Sequence, residues 1–242
     1  MRFLIVGSSR GIGLAITKEL LSRGHSVIAT TRSEVQDEVL TELSAQYPGK
    51  LVHVTLDVVI ESSIDRAVSK IDALAKEEHI DWALIVAGWA LYPGAVIDVS
   101  FEDMLKQVKI NTVGPLYVAQ KLIPIVNRSE TKGIAVLSSD SGSVNRFLGQ
   151  EEGLGVYGIS KVGLNHGMRH LEQEAKRRGI NLKMLCIHPG VVKTDMLASI
   201  TIEELDESTV IDTTTSAKGV TDLLLIPRAN GFYEWTGAEY PW

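Results

Sequence analysis

Cysteine is almost missing from this chain. Cys186 is the only one in 242 residues, which excludes a disulfide framework and a cysteine-built zinc site. It sits inside the apolar run "LKMLCIHPG", where it reads as a small core residue. No apolar run reaches the roughly 18 residues that a membrane span needs. A basic surplus is missing too: the formal net charge is −6, and binding nucleic acid calls for a positive field. There is no linker rich in Pro, Gly or Ser, no charge run and no repeat that would divide the chain. The first residues, "RFLIVG", read as a strand feeding straight into a turn and leave no room for a cleaved secretory signal. A reducing, cytoplasmic setting is the expectation.

What is present is a soluble-domain composition, 45% hydrophobic and 22% charged, long enough for one large core. Short β-rich runs recur: "RFLIVG", "SVIATT", "LVHVTLD", "WALIVAG", "GIAVLSS" and "LKMLCIHPG". Most are continuously apolar, as strands covered on both faces must be. The segments between them carry helical periodicity; in "GIGLAITKELLSRG", Ile12, Ile16, Leu20 and Leu21 share one side and Gly24 closes the helix. This alternation predicts a single α/β domain over 1–242, a doubly wound parallel sheet of about seven strands with helices on both faces. Pro115 and Pro124 predict a kink or break in the long helical segment from about Ser100 to Asn127. Residues 194–215 fit the alternation poorly and read as a polar insertion, a substrate lid.

"IVGSSRGIG" joins the first strand to the first helix, with Gly7, Gly11 and Gly13 spaced G-x-x-x-G-x-G. Glycines there allow a tight turn and close approach of backbone to a ligand. The helix N-terminus behind them offers free N–H groups to a pyrophosphate. An ordinary tight turn would use the same residues, but the position, between strand and helix at the start of a doubly wound pattern, favours a nucleotide.

Two Tyr–Lys pairs occur at four-residue spacing, Tyr157–Lys161 in "VYGISK" and Tyr117–Lys121 in "LYVAQK". On a helix each pair shares one face. An ammonium at close range favours the phenolate and so lowers the pKa of a phenol, which fits it for proton transfer near neutral pH. Context separates the pairs. Tyr157 and Lys161 open the helix that follows the strand ending near Ser138 and Ser139, on the side where doubly wound sheets bind ligands. Tyr117 and Lys121 lie well inside the preceding helix, as a packed Tyr and a solvated Lys. His166 and His170 share a helical face but have no Glu between them and no third ligand, so no metal is expected. Trp89, Leu91, Tyr92 and Phe147 line a substrate pocket on one view and are core or surface packing on the other.

The glycine turn and Tyr157–Lys161 together resemble the short-chain dehydrogenase/reductase family, and the likeness spans nearly the whole chain. Asp57–Val58 matches the family's position against the adenine ring. "KINTVGP" matches the segment carrying its catalytic Asn, here Asn111. "HPGVVKTD" matches the stretch in which Pro189, Gly190 and Thr194 line the nicotinamide end. The same likeness places Ser9, Arg10 and Ile12 of the turn, Ala87 and Gly88 after the fourth strand, and Val192 at the cofactor. It implies that Tyr157 donates the proton, that Lys161 is its partner and holds the nicotinamide ribose, and that Asn111 anchors a water. The catalytic Ser precedes a residue pair and a Gly, which selects Ser139, with Ser138 as the fallback. The chain's end and the spacing around Tyr157 are most similar to small carbonyl reductases of the C-factor and sniffer type. One departure stands out: where the family has N-N-A-G, this chain has "IVAG", with Ile85 and Val86 in place of two Asn. The second Asn stabilises the family's central sheet, so local rigidity is in question.

The resemblance thus implies a cytoplasmic reductase of small ketones or aldehydes, dimeric or tetrameric. Its cofactor is expected to be NADP(H). The second strand ends at Thr31 with no acid to take the ribose hydroxyls, Arg32 follows, and Arg10 lies in the turn; two guanidinium groups suit a 2′-phosphate. Glu34 is the alternative, as a ribose ligand for NAD(H). A dinucleotide-binding regulator without turnover is the competing function. Sugar-nucleotide epimerases share the Tyr–Lys pair but resemble longer chains with a second domain.

Overall fold

Phe3 and Ile5 bury into one core and Leu4 and Val6 into another, because their strand, β1 (Arg2–Val6), lies at the centre of a sheet covered on both sides. The computed structural model describes residues 1–33, 38–147, 153–200 and 207–242. The other strands are β2 (Ser26–Thr31), β3 (Leu51–Thr55), β4 (Trp82–Ile85), β5 (Gly133–Leu137), β6 (Lys183–His188), the short β7 (Val191–Val192) and β8 (Val210–Ile211), and β9 (Gly231–Glu234). Seven form one sheet in the order β3-β2-β1-β4-β5-β6-β9, all parallel. β7 and β8 pair separately. The seventh strand of the main sheet, "GFYE", is the one the alternating pattern does not single out.

The helices are α1 (Gly11–Ser22), α2 (Glu38–Gln46), α3 (Glu61–Glu77), α4 (Phe101–Val108), α5 (Gly114–Val126), α6 (Gly155–Arg177), α7 (Asp195–Ala198) and α8 (Thr213–Leu225). Ile16, Leu20 and Leu21 of α1, Leu40 and Leu43 of α2, and Ala217, Val220, Leu223 and Leu224 of α8 cover one face. Ile64 and Ile71 of α3, Val118, Leu122 and Ile125 of α5, and Leu164 and Met168 of α6 cover the other. The expected doubly wound fold is therefore what forms. Its strand order reverses between β1 and β4, which opens a crevice beyond their carboxyl ends.

The segment expected to kink or break between Ser100 and Asn127 stays helical throughout, with its backbone in the right-handed region at both junctions. A single π turn, Lys109–Val113, separates α4 from α5. Pro115 sits in the first turn of α5, directly after the π turn. Pro124 is inside that helix. The widened turn carries Asn111, fully buried, and π turns recur where a helix must present a particular group.

The Ile85–Val86 departure is absorbed by packing. Ile85 pairs with Val6 and Val136 and is 1% exposed; Val86 packs with the other core and its N–H bonds the Val6 carbonyl. The segment read as a lid, 194–215, holds α7, a 3₁₀ turn, β8 and the first residues of α8; its residues 201–206 lie outside the described residues.

Candidate active site

The turn after β1 accepts only glycine at its crossings. Gly7 has φ +99° and Gly11 φ +56°, the left-handed region that favours a residue without Cβ. A Cβ on Gly13 would fall 1.9 Å from the Gly7 carbonyl oxygen, and one on Gly7 would lie 3.0 Å from Ala87 N. Ser8, between them, is buried; its N–H bonds Thr30 O at 2.8 Å and its hydroxyl bonds Ile5 O at 3.0 Å. Arg10 precedes α1 in extended conformation and supplies no side-chain cap, so the first-turn N–H groups stay open toward the crevice.

That crevice is a cleft of about 1310 Å³, larger than the usual range for a single small ligand. Gly7, Ser9, Arg10, Gly11, Ile12, Gly13, Arg32, Asp57, Val58, Ala87, Gly88, Ser139, Tyr157, Lys161, Pro189, Gly190, Val192 and Thr194 all line it. The loops that carry them are fixed locally. Asp57 Oδ1 accepts the Val59 N–H at 3.0 Å while its own N–H bonds Ser63 Oγ. Ser216 Oγ donates to Pro189 O at 2.7 Å, and Thr194 Oγ1 caps α7 by accepting the Leu197 N–H. Arg32 is exposed, with no ion pair among the described residues. Glu34, the alternative ribose ligand, lies outside the described residues. Arg10 reaches across to Asp195, Nη1 to Oδ2 3.0 Å, both side chains mostly exposed.

Asn111 does not line the cleft. Its Oδ1 accepts the Trp89 N–H at 2.9 Å, and its Nδ2 donates to Trp89 O at 2.7 Å and Ser160 Oγ at 3.0 Å. One turn earlier Gln107, also fully buried, accepts the Leu91 N–H at 2.7 Å and donates to Trp89 O. Two amides thus clamp the strand-end loop from behind. Gln107 escaped the sequence reading; its four-residue spacing from Asn111 was the available signal.

The two Tyr–Lys pairs are unlike. Lys161 is 4% exposed, its Nζ 2.8 Å from Leu137 O and 5.6 Å from the centre of the Tyr157 ring. Burial lowers its pKa from the ordinary 10.5 to about 8. Lys121 instead meets Asp65 at 3.0 Å on the surface, and Tyr117 donates to Glu61 at 3.0 Å. Those partners raise Lys121 to about 12, the Tyr117 hydrogen bond first and Asp65 second. A phenol beside a buried ammonium that exchanges its proton near neutral pH can pass a proton to a ligand in the cleft; Tyr117 does not line that cleft.

Between the serines the geometry is equally clear. Ser138 Oγ is fully enclosed and lies against Gly142, where a Cβ would come within 3.0 Å of it. Ser139 Oγ lies 2.7 Å from Asp140 Oδ1; both serines line the cleft, and it is the enclosure of the Ser138 hydroxyl that sets them apart. His188 accepts the Asp140 N–H on Nδ1 at 3.1 Å; burial pushes its pKa down. Trp89 lines the cleft with Lys106 above its ring at 4.6 Å. Leu91, Tyr92 and Phe147 do not line it, and Phe147 is 85% exposed. His166 and His170 meet at 3.2 Å on the surface of α6; among the described residues no group of three or more His, Cys, Asp or Glu could hold a metal.

Comparison with known proteins agrees with this architecture. The family model of the short chain dehydrogenases matches residues 2–205. An uncharacterised oxidoreductase of Schizosaccharomyces pombe is 29% identical, over 99% of this chain and 97% of that protein. The crystal structure of NADPH-bound carbonyl reductase from chicken fatty liver superposes with a TM-score of 0.87 at 25% identity, covering 100% of this chain and 94% of that one. The carbonyl reductase Sniffer of D. melanogaster superposes at 0.85 over 100% of this chain and 99% of its own, and at 24% identity that likeness speaks for the fold.

The two tyrosines differ in what their loss should do to oxidoreductase turnover. Tyr157→Phe should lower kcat by roughly 100-fold or more, the size of a lost general acid, and Tyr117→Phe should leave it largely intact. Steady-state kinetics of both variants checks this, and the opposite ranking would mean that the wrong pair has been chosen.

Proposed function

Because the chain belongs to the short-chain dehydrogenase family, we propose that it is an NADPH-dependent reductase of small ketones or aldehydes, with Ser139, Tyr157 and Lys161 at the reacting centre and Asn111 holding the wall behind it. The observation that carries this is the buried Lys161 beside Tyr157 in a cleft whose glycine turn leaves no space for a Cβ. NADPH, when bound, supplies the hydride that adds to the carbonyl carbon as the C=O π pair moves to oxygen. Tyr157 gives that oxygen a proton, and Ser139 holds it by a hydrogen bond. Lys161 keeps positive charge next to the phenol, which eases the proton's departure. The Asn111 side chain is engaged with Trp89 and Ser160, so a water relay through this residue would use its backbone carbonyl, in the widened turn. The competing reading, a dinucleotide sensor without turnover, draws on the absence of the second Asn, and Val86 fills that place by packing against one core.

The choice of NADP(H) rests on charge. Thr31 ends β2 with its hydroxyl bonded to Ser33 O and 2.8 Å from His53 Nε2, and the exposed Arg32 and Arg10 both line the cleft. The chicken fatty liver enzyme was crystallised with NADPH. We further propose that the flanks of 194–215 cover the substrate, and that the protein works in the cytoplasm. No helix among the described residues is long and apolar enough to cross a membrane. Phe101 and Leu105 on α4, Val113 in the π turn and Ile159 on α6 are exposed apolar side chains, which supports pairing of these helices between two copies.

Kinetics with both cofactors tests the first choice: NADPH should be preferred on the order of 100-fold, with the preference largely lost in Arg32→Asp. Equal use of NADH by the unmodified protein would reject it. Light scattering at micromolar concentration should give a dimer or tetramer mass, and a monomer would remove the assembly proposal.

A further inference from the structure

Asp140 places a carboxylate in the cleft directly beside the serine that is to hold the substrate. Its Oδ1 accepts the Ser139 hydroxyl at 2.7 Å and the Ser141 N–H at 3.0 Å. Among the described residues no donor reaches Oδ2, and the side chain, 22% exposed, lines the cleft. Among the described residues no cation balances it at close range. His188 Nδ1 is 3.8 Å away, but that nitrogen accepts the Asp140 N–H and so carries no proton, and no Lys or Arg among the described residues forms an ion pair with Asp140.

This arrangement conflicts with simple ketone reduction in two ways. Ser139 has one proton, and a carboxylate is a stronger acceptor for it than a carbonyl oxygen; the serine therefore presents lone pairs, not its proton, to the cleft. The fixed negative charge also opposes the negative charge that develops on the substrate oxygen. Both difficulties vanish when the substrate brings a donor of its own. A hydroxyl on the carbon next to the carbonyl lies at hydrogen-bonding separation from the carbonyl oxygen, as Asp140 Oδ1 does from Ser139 Oγ. It can donate to the open oxygen of Asp140, which weakens the carboxylate as an acceptor and lets the Ser139 proton turn to the carbonyl oxygen.

We propose that Asp140 is a specificity-determining residue and that the substrates are α-hydroxy carbonyl compounds, reduced to vicinal diols. This rests on the carbonyl reductase reading. Hydride adds to the carbonyl carbon, the π pair goes to oxygen, Tyr157 supplies its proton, and the nicotinamide is the species oxidised; the neighbouring hydroxyl keeps its proton throughout and only changes partner.

The test compares hydroxyacetone with butanone, which replaces the hydroxyl by a methyl group, in the unmodified protein, Asp140→Asn and Asp140→Ala. A ratio of kcat/KM values within one variant does not depend on how much of it is folded. Hydroxyacetone should be preferred at least about tenfold by the unmodified protein, the size of one charge-assisted hydrogen bond. The ratio should fall toward one in Asp140→Ala and lie between in Asp140→Asn. Dissociation constants of the two compounds on Tyr157→Phe, read by NMR titration, should follow the same order. Turnover of ketones with a ratio that ignores Asp140 would overturn this assignment alone. No turnover of any carbonyl compound across a broad panel would overturn the carbonyl reductase reading and this proposal with it.

Discussion

An ammonium held inside the protein by one carbonyl is the interaction around which this site is built. Lys161 projects from α6 into the space beyond β5, where Leu137 O accepts a hydrogen bond from its Nζ at 2.8 Å. Burying a charge is costly unless it is satisfied, and here the cost shows as a pKa lowered from 10.5 to about 8. The linkage follows from that direction. Between about 8 and 10.5 the unfolded chain holds a proton that the folded chain releases, so stability rises with pH across that window, and below it the fold bears the full cost of the charge. What the protein gains is a cation beside Tyr157 that exchanges protons near neutral pH. Both cores serve this placement: Leu164 and Met168 seat α6 on the sheet that ends at Leu137.

The wall facing Lys161 is set by a different device. The π turn at Lys109–Val113 brings Asn111 to the Trp89 backbone, and Gln107 grips the same carbonyl from the turn before. Asn111 also bonds Ser160, the neighbour of Lys161 in α6. A chain of amide and hydroxyl groups therefore links the loop after β4 to the helix bearing the Tyr–Lys pair. Fully buried and fully bonded, such groups specify geometry more than they add stability. The apolar Ile85 and Val86 fit this scheme, because the loop is held by amides from α4 and the π turn and the strand end is free to pack as core.

Sequence carried most of this because its signals were of the kind that survive without coordinates. Continuous apolar runs with helical segments between them gave the parallel sheet. Glycine spacing gave the turn, and the position of Tyr157 relative to the Ser139 strand separated it from Tyr117. Other features were invisible for physical reasons. A π turn has no composition of its own, and two prolines nearby pointed to a kink or break where the helix runs on through a widened turn. Gln107 reads as an ordinary helical residue until its partners, backbone groups 16 and 18 positions away, are in place. The link between Asp140 and His188 spans 48 residues and exists only where β5 and β6 end side by side. The last strand of the main sheet, β9, is four residues long, too short for periodicity to mark.

The state of Lys161 tests the core of this account most directly. Heteronuclear NMR of the side-chain Cε and Nζ, assigned by the signal lost in Lys161→Met, follows its titration in the folded protein. A midpoint near 8, well below that of the surface lysines, is the expected result. A midpoint at or above 10.5 would mean that Lys161 is solvated or paired with an acid, and the buried ammonium beside Tyr157 would not exist.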